Sequence, residues 1–310
     1  MSRSLLPELT FIHPLVDACS ISVLIGGGAS LERVIAYNAM AFALQLPLGI
    51  VLDRWSRWAP AAFFAGVGMV LGAVLCSMAG LHGWFSLAAV CVGNAIFHLS
   101  AGKHILDSFH GRGGPIGVFI STGALGLLAG RMGMEHFASA CLLFFFVLLA
   151  LSVIFVAARL VRRSVAFCVN ASLTICRDCR AFVPSVLLAL LFLLVVWRSW
   201  SWLSAWRVTI EEDAMLIILG TVAALCGKAS GGYVAERIGR WLVTAVSVCG
   251  SLALVFLCSP TSPIAWVALL FVSQLATGPV LSLLYDNVPR SGGGGSAFGI
   301  NCLGLFVGSL

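Results

Sequence analysis

The residues of this chain that could do chemistry are few, and they stand in apolar surroundings. His13 and Asp17 are four apart, so a helix puts them on one face, one turn from each other. An ionisable group at the centre of a membrane-spanning helix costs at least ~2.5–3.5 kcal/mol, so it is kept for a partner or a task. Histidine titrates near neutral pH, and the pair reads as a proton-linked site lining a pathway. The bland alternative is an interfacial His13 with Asp17 bonded to a neighbouring helix. Asn94 and His98 repeat the four-residue spacing near the cytoplasmic end of a later apolar run. They offer donors to a solute or to Asp17, or else bond across helices. Arg198 ends the very apolar stretch Leu187–Trp197. Its guanidinium stays charged in any protein setting. It either meets an anionic group or reaches back to an interface beside Trp200, Trp202 and Trp206.

Enzyme-like strings fail on inspection. Gly227-Lys228-Ala229-Ser230 lacks the glycine five positions before Gly227, which is Val222, and has alanine where magnesium needs a hydroxyl. Zinc-protease and serine-elbow patterns are absent, as is any ATPase cassette, so no enzyme activity and no cofactor are expected. Cys176 and Cys179 make half a zinc pattern with no second pair at ligand spacing, so no metal is expected either. Cys76, Cys91, Cys141, Cys226 and Cys249 lie in apolar runs, where cysteine serves as a small hydrophobe.

The elements that must hold these residues are membrane helices. Sixty per cent of the 310 residues are hydrophobic and 10% are charged, against about 25% charged in a soluble domain. Too few charges remain to wet a globule of this size. A helix needs about 20 apolar residues to cross, and such runs fall near 11–30, 34–52, 59–79, 84–101, 115–131, 137–158, 182–203, 214–232, 241–258, 264–285 and 296–310. That predicts an all-α membrane protein with about eleven spans. The six-span half is 1–161, the basic cytoplasmic linker 162–181, and the five-span half 182–310. The glycine run Gly292–Gly295 with Ser296 falls in a predicted loop. With the N-terminus in the cytoplasm, 14 of the 18 Lys and Arg lie inside, Lys103, Arg112, Lys228 and the linker arginines among them. The positive-inside rule fixes that orientation. Asp17 is then the only carboxylate well within a span. The net charge of +6 sits on the loops, so nucleic acid is not an expected partner.

A repeat organises the chain. After the second run stands Gly49-Ile-Val-Leu-Asp53-Arg54-Trp55-Ser56-Arg57-Trp58, and after the eighth Gly232-Tyr-Val-Ala-Glu236-Arg237-Ile238-Gly239-Arg240-Trp241. Glycine, acid, both arginines and tryptophan align at a constant offset of 183 residues. Two parallel halves with a central pathway give this pattern. Each acid can accept from arginine or a helix N-terminus, latching the halves on the cytoplasmic side. Gly117, Gly123, Gly126 and Gly130 suit close helix packing.

The repeated segment resembles the loop motif of the major facilitator superfamily, Gly-x-x-x-Asp-Arg-x-Gly-Arg-Arg, with Ser56 for glycine in the first copy and Glu236 for aspartate in the second. His13-Pro14-Leu15-Val16-Asp17, Gly93-Asn94-Ala95-Ile96-Phe97-His98 and Arg198-Ser199-Trp200 resemble three motifs of that superfamily's fosmidomycin-resistance branch of drug exporters. The resemblance implies a two-half helical bundle with a twelfth span missing, so a monomer unless a partner supplies that helix. It implies proton-coupled efflux of a small organic molecule across a bacterial inner membrane. The pathway residues would be His13, Asp17, Asn94, His98 and Arg198. The cytoplasmic gate would be Gly49, Asp53, Arg54, Arg57, Gly232, Glu236, Arg237, Gly239 and Arg240. An uptake carrier, or a sensor or scaffold derived from a transporter, are the rival readings.

Overall fold

The structure, a computed structural model, describes residues 5–163, 182–209, 214–258, 262–288 and 293–310. Every regular element among the described residues is helical. Hydrocarbon imposes this, because an unpaired backbone N–H or C=O finds no water there and a helix pairs its own. The first half holds α1 (Leu6–Gly26), α2 (Leu31–Asn38), α3 (Gln45–Arg54), α4 (Ala59–Met78), α5 (Trp84–Ser108), α6 (Gly113–Ser121) and α7 (Gly123–Arg163). The second holds α8 (Phe182–Thr209), α9 (Ala214–Ile238), α10 (Arg240–Leu257), α11 (Pro263–Gln274), α12 (Thr277–Asn287) and α13 (Gly294–Gly308). A π-helical turn, Ala39–Ala43, joins α2 to α3 in one apolar stretch. Eight stretches among the described residues are long and apolar enough to cross a bilayer, and 185–200 and 294–308 are shorter apolar helices. The longest bends at Phe137, whose φ of −146° and ψ of 47° are not helical.

The helices run past several predicted ends. α7 continues through Arg163, past the predicted linker start at 162, and its Arg159 pairs with Glu8. Glu8 is therefore a second carboxylate buried in α1, which corrects the reading that Asp17 stands alone there. α5 continues to Ser108, which moves Lys103 out of a loop and His98 to mid-helix, and α9 continues to Ile238, which takes Glu236 and Arg237 into the helix. Gly294–Ser296 form the first turn of α13 rather than a loop. Residues 164–181 with Cys176 and Cys179, and Arg290, lie outside the described residues.

Lipid tails are as apolar as leucine, so close van der Waals contact rather than water exclusion joins these helices. α1 packs along α7, α4 along α5, α6 along α9, and α13 along α3 and α8. On α7, Gly126 and Gly130 meet the backbone of Pro14 and Ala18 so closely that a Cβ on either would collide. The last two pairings, α6 with α9 and α13 with α3, join the halves.

Candidate functional site

Pro14 prepares the site. It has no N–H, so the carbonyl of Thr10 loses its helical partner inside α1. The Thr122 hydroxyl, where α6 passes into α7, donates to that carbonyl at 3.1 Å. This bond fixes α1 against α6 and α7 at the level of His13 and Asp17. Phe63, Phe97 and Phe119, all fully buried, wall the same level. The Phe119 ring stacks on His13 with centroids 4.5 Å apart.

Within this wall α5 brings His98 and Asn94 to the α1 pair. His13 Nε2 lies 3.2 Å from Asp17 Oδ2, and His98 Nε2 lies 3.3 Å from Asp17 Oδ1. The two Nε2 nitrogens are 2.7 Å apart. Asn94 Nδ2 donates to Asp17 Oδ1 at 3.1 Å and to Ser20 Oγ at 3.0 Å, which sets the carboxylate plane. His13 and Asp17 are 2% and 7% exposed. The other ring nitrogens decide the chemistry. His13 Nδ1 meets the carbonyl of Phe119 at 2.6 Å, and His98 Nδ1 that of Asn94 at 2.9 Å. A carbonyl only accepts, so both Nδ1 atoms carry hydrogen and both neutral rings turn a lone pair inward at Nε2. Two lone pairs at 2.7 Å repel unless one extra proton sits between them. With that proton the histidine pair is +1 against the −1 of Asp17.

One donor atom from each of His13, Asp17 and His98 lies within 4.8 Å of the others, a spacing that a metal ion also accepts. The 2.7 Å approach of the nitrogens is shorter than the roughly 3.3 Å edge of a tetrahedron built on Zn–N bonds. The proton suits the centre better.

Arg198 is 4% exposed on the inward face of α8, and its Nη2 donates to Asn301 Oδ1 of α13 at 3.1 Å. It is not drawn out to the interface, although Trp200 on the same helix is half exposed. The side chains of 201–209, including Trp202 and Trp206, lie outside the described residues.

At one end of the bundle both copies of the repeat close on the opposite half. Asp53 receives Gly295 N at 3.0 Å, Ser296 N at 2.6 Å and Ser296 Oγ at 2.7 Å, all from the first turn of α13. Four N–H groups at a helix start lack helical acceptors and carry partial positive charge, so a carboxylate there is favoured. Lys103 Nζ bridges Asp53 at 2.7 Å and Asp107 at 2.8 Å, and Asp107 receives Gly294 N at 3.0 Å. Glu236 mirrors this, receiving Gly114 N of α6 at 2.9 Å and pairing with Arg112. A Cβ on Gly49 would strike Gly295, and one on Gly232 would strike Gly113.

The remaining motif residues divide. Arg240 binds Asp286 at 2.5 Å and Ser282 Oγ at 2.9 Å on α12. Arg57 lies over the Trp58 ring, while Arg54 and Arg237 point outward without a hydrogen bond or ion pair among the described residues. Gly239 has φ +106°, which only glycine adopts easily. Ser56 stands at its counterpart because the first copy turns by a 3-10 segment, Ser56–Trp58, with the Ser56 hydroxyl on the Asp53 carbonyl at 3.0 Å. Lys103, Asp107, Arg112 and Asp286 escaped the sequence reading. The spacing of Lys103 and Asp107, again four residues on one helix, was the available signal.

No family model matches this chain, and no curated protein matches it. Among solved structures it is similar to the E. coli fucose:proton symporter, a major facilitator superfamily transporter, at 14% identity and a TM-score of 0.63, covering 98% of this chain and 88% of that one. It is also similar to a bacterial homologue of the iron transporter ferroportin in an outward-facing state, at 18% identity and a TM-score of 0.59, covering 99% and 90%. A third likeness is to the human organic anion transporter MFSD10, at 13% identity and a TM-score of 0.67, covering 97% and 90%. At these identities the likeness is one of fold, a two-half helical bundle of the major facilitator type.

Proposed function

We propose that this chain is a proton-coupled secondary transporter that exports a small organic molecule by alternating access. The observation that carries the reading is the His13–Asp17–His98 centre, whose two Nε2 nitrogens lie 2.7 Å apart and 3.2 and 3.3 Å from the carboxylate, a seat for one proton. A carrier that loads and empties one such proton per cycle couples the bundle to a proton gradient. Asp53 and Glu236, each seated on a helix start of the other half, are the latches of the state closed at that end. We read that end as cytoplasmic, with the N-terminus on the same side of a bacterial inner membrane. With the bend at Phe137 taken to divide 113–160 into two crossings, and the shorter helices 185–200 and 294–308 taken as crossings too, the count is eleven. Residues 1–161 and 182–310 form the two halves. Export rests on the three motifs that resemble the drug-exporter branch.

Sealed vesicles carrying the purified protein, an imposed pH gradient and a panel of labelled small molecules test this. The expected result is gradient-dependent accumulation of some members, collapsed by a protonophore, with the sign of flux giving the direction. Flux indifferent to the gradient overturns the proton coupling, and no flux of any member overturns the transporter in favour of a sensor or scaffold.

A further inference from the structure

The second span of the first half carries an extra residue. Between α2 and α3 the backbone widens into the π-helical turn Ala39–Ala43. Such a turn pairs residues five apart instead of four, so it takes up one residue more than a regular helix would. The repeat supplies the control. Residues 222–226, at the 183-residue offset, lie inside α9, which runs unbroken over Ala214–Ile238. Close packing does not demand the widening either. A Cβ on Gly299 of α13 would strike the Gln45 carbonyl just past the turn. A Cβ on Gly117 of α6 would likewise strike the carbonyl of Lys228, the residue at the same offset in regular helix. The two seams are alike in this approach, and only the one that seats Asp53 contains the turn.

Gln45 holds the turn open. It is 1% exposed, and its Nε2 donates to the Ala41 carbonyl at 2.7 Å. In a regular helix that carbonyl would take the backbone N–H of the same residue, four positions on. Gln45 Oε1 is buried with no hydrogen-bond partner among the described residues, a penalty that the closed form carries. Pro47 has no N–H for the Ala43 carbonyl four residues before it, so the ladder is weak here in either form. The turn packs on α5 and α13. The closed form thus keeps one residue in reserve beside the seam.

We propose that the turn Ala39–Ala43 is the joint on which the α3–α13 seam opens, closing up into regular helix and turning α3 against α2. Drawing the extra residue into the helix rotates α3 by about 100° and advances it by about 1.5 Å. Each side chain then takes the place of its successor. Asp53 moves to the exposed place of Arg54, and Leu52, which has no acceptor, arrives opposite Gly295 and Ser296. The start of α13 loses its carboxylate in one step. This joint rests on the reading of that seam as one that opens in transport.

Deleting Ala43 removes the extra residue and leaves both flanks in their present register, so Asp53 stays seated and α3 cannot turn. Purified protein with and without the deletion carries Leu52→Cys or Val51→Cys, and alkylation by a water-soluble maleimide is followed by mass spectrometry of the peptide. Leu52 is 7% exposed and Val51 45% exposed. With the turn intact, position 52 is expected to react tenfold or more faster than in the deletion variant, and position 51, which the turning covers, no faster. The deletion variant is expected to melt no lower than wild type. Equal rates at position 52 overturn the joint, as does acceleration of both positions together, which marks a seam that parts without turning. Gln45→Leu removes the amide at similar volume and decides the matter should the deletion variant not fold. It is expected to speed labelling at position 52 threefold or more, and unchanged labelling overturns the joint. In vesicles, gradient-driven flux that survives the deletion removes the joint and leaves the transporter. The tenfold ratio without gradient-driven flux does the reverse.

Discussion

With both Nδ1 hydrogens committed to backbone carbonyls, His13 and His98 cannot exchange roles by turning their rings. The only freedom left is whether the inner proton is present. Asp17→Asn removes the charge that balances that proton while keeping the size of the side chain. Uphill accumulation is therefore expected to vanish, with downhill exchange or binding retained. A variant that concentrates solute at the normal rate places coupling elsewhere. His98→Gln keeps one polar contact and loses one lone pair, so the pH profile of flux should shift rather than disappear. Arg198→Lys keeps charge and loses the fork. A weaker apparent affinity at unchanged expression is expected, and equal transport retires the residue from the site. The sequence made His13, Asp17, His98 and Arg198 visible because ionisable side chains are rare in apolar helices. Lys103 was hidden by its surroundings, since a lysine just past the apolar run 84–101 and followed by Asp107 reads as the rim of a loop.

The helices explain why the remaining parts were less legible. Apolar runs located the elements well, but hydropathy stops at the first charge, whereas α5 and α9 carry charges onward because partners in the bundle receive them. Pro14 illustrates the same limit. The sequence shows the missing N–H, and only the fold shows Thr122 replacing it. Thr122→Val is expected to cost about 1 kcal/mol, the usual net worth of such a bond, and to loosen α1 at the proton centre. A lower melting point with a reduced coupling ratio supports this, and a melting point unchanged in a silent variant refutes it. The two latching helices differ in strength. Asp53 takes three bonds from α13 and one from Lys103, while Glu236 takes one from α6 and pairs with Arg112. Asp53→Asn is accordingly expected to open the closed end far more than Glu236→Gln. Alkylation of cysteines introduced along α3 and α9 measures this, and equal labelling in both variants counts against it.

At the scale of the whole molecule, a buried clasp and an exposed clasp hold the same seam. The Asp53 and Lys103 side chains are 1% and 4% exposed, whereas Glu236 and Arg112 are 21% and 59% exposed. Mobile ions weaken charge pairs that they can surround, over a screening distance of about 8 Å at physiological ionic strength, and they cannot surround the first clasp. Raising salt should therefore speed labelling beside Glu236 while leaving labelling beside Asp53 unchanged, and parallel acceleration at both would show that the seam parts as a unit. If the two respond separately, the seam works like a zipper with a fixed starting end. The α6–α9 boundary frays first, the α3–α13 boundary bears the full strain of opening, and the slow step of the cycle belongs to the buried end.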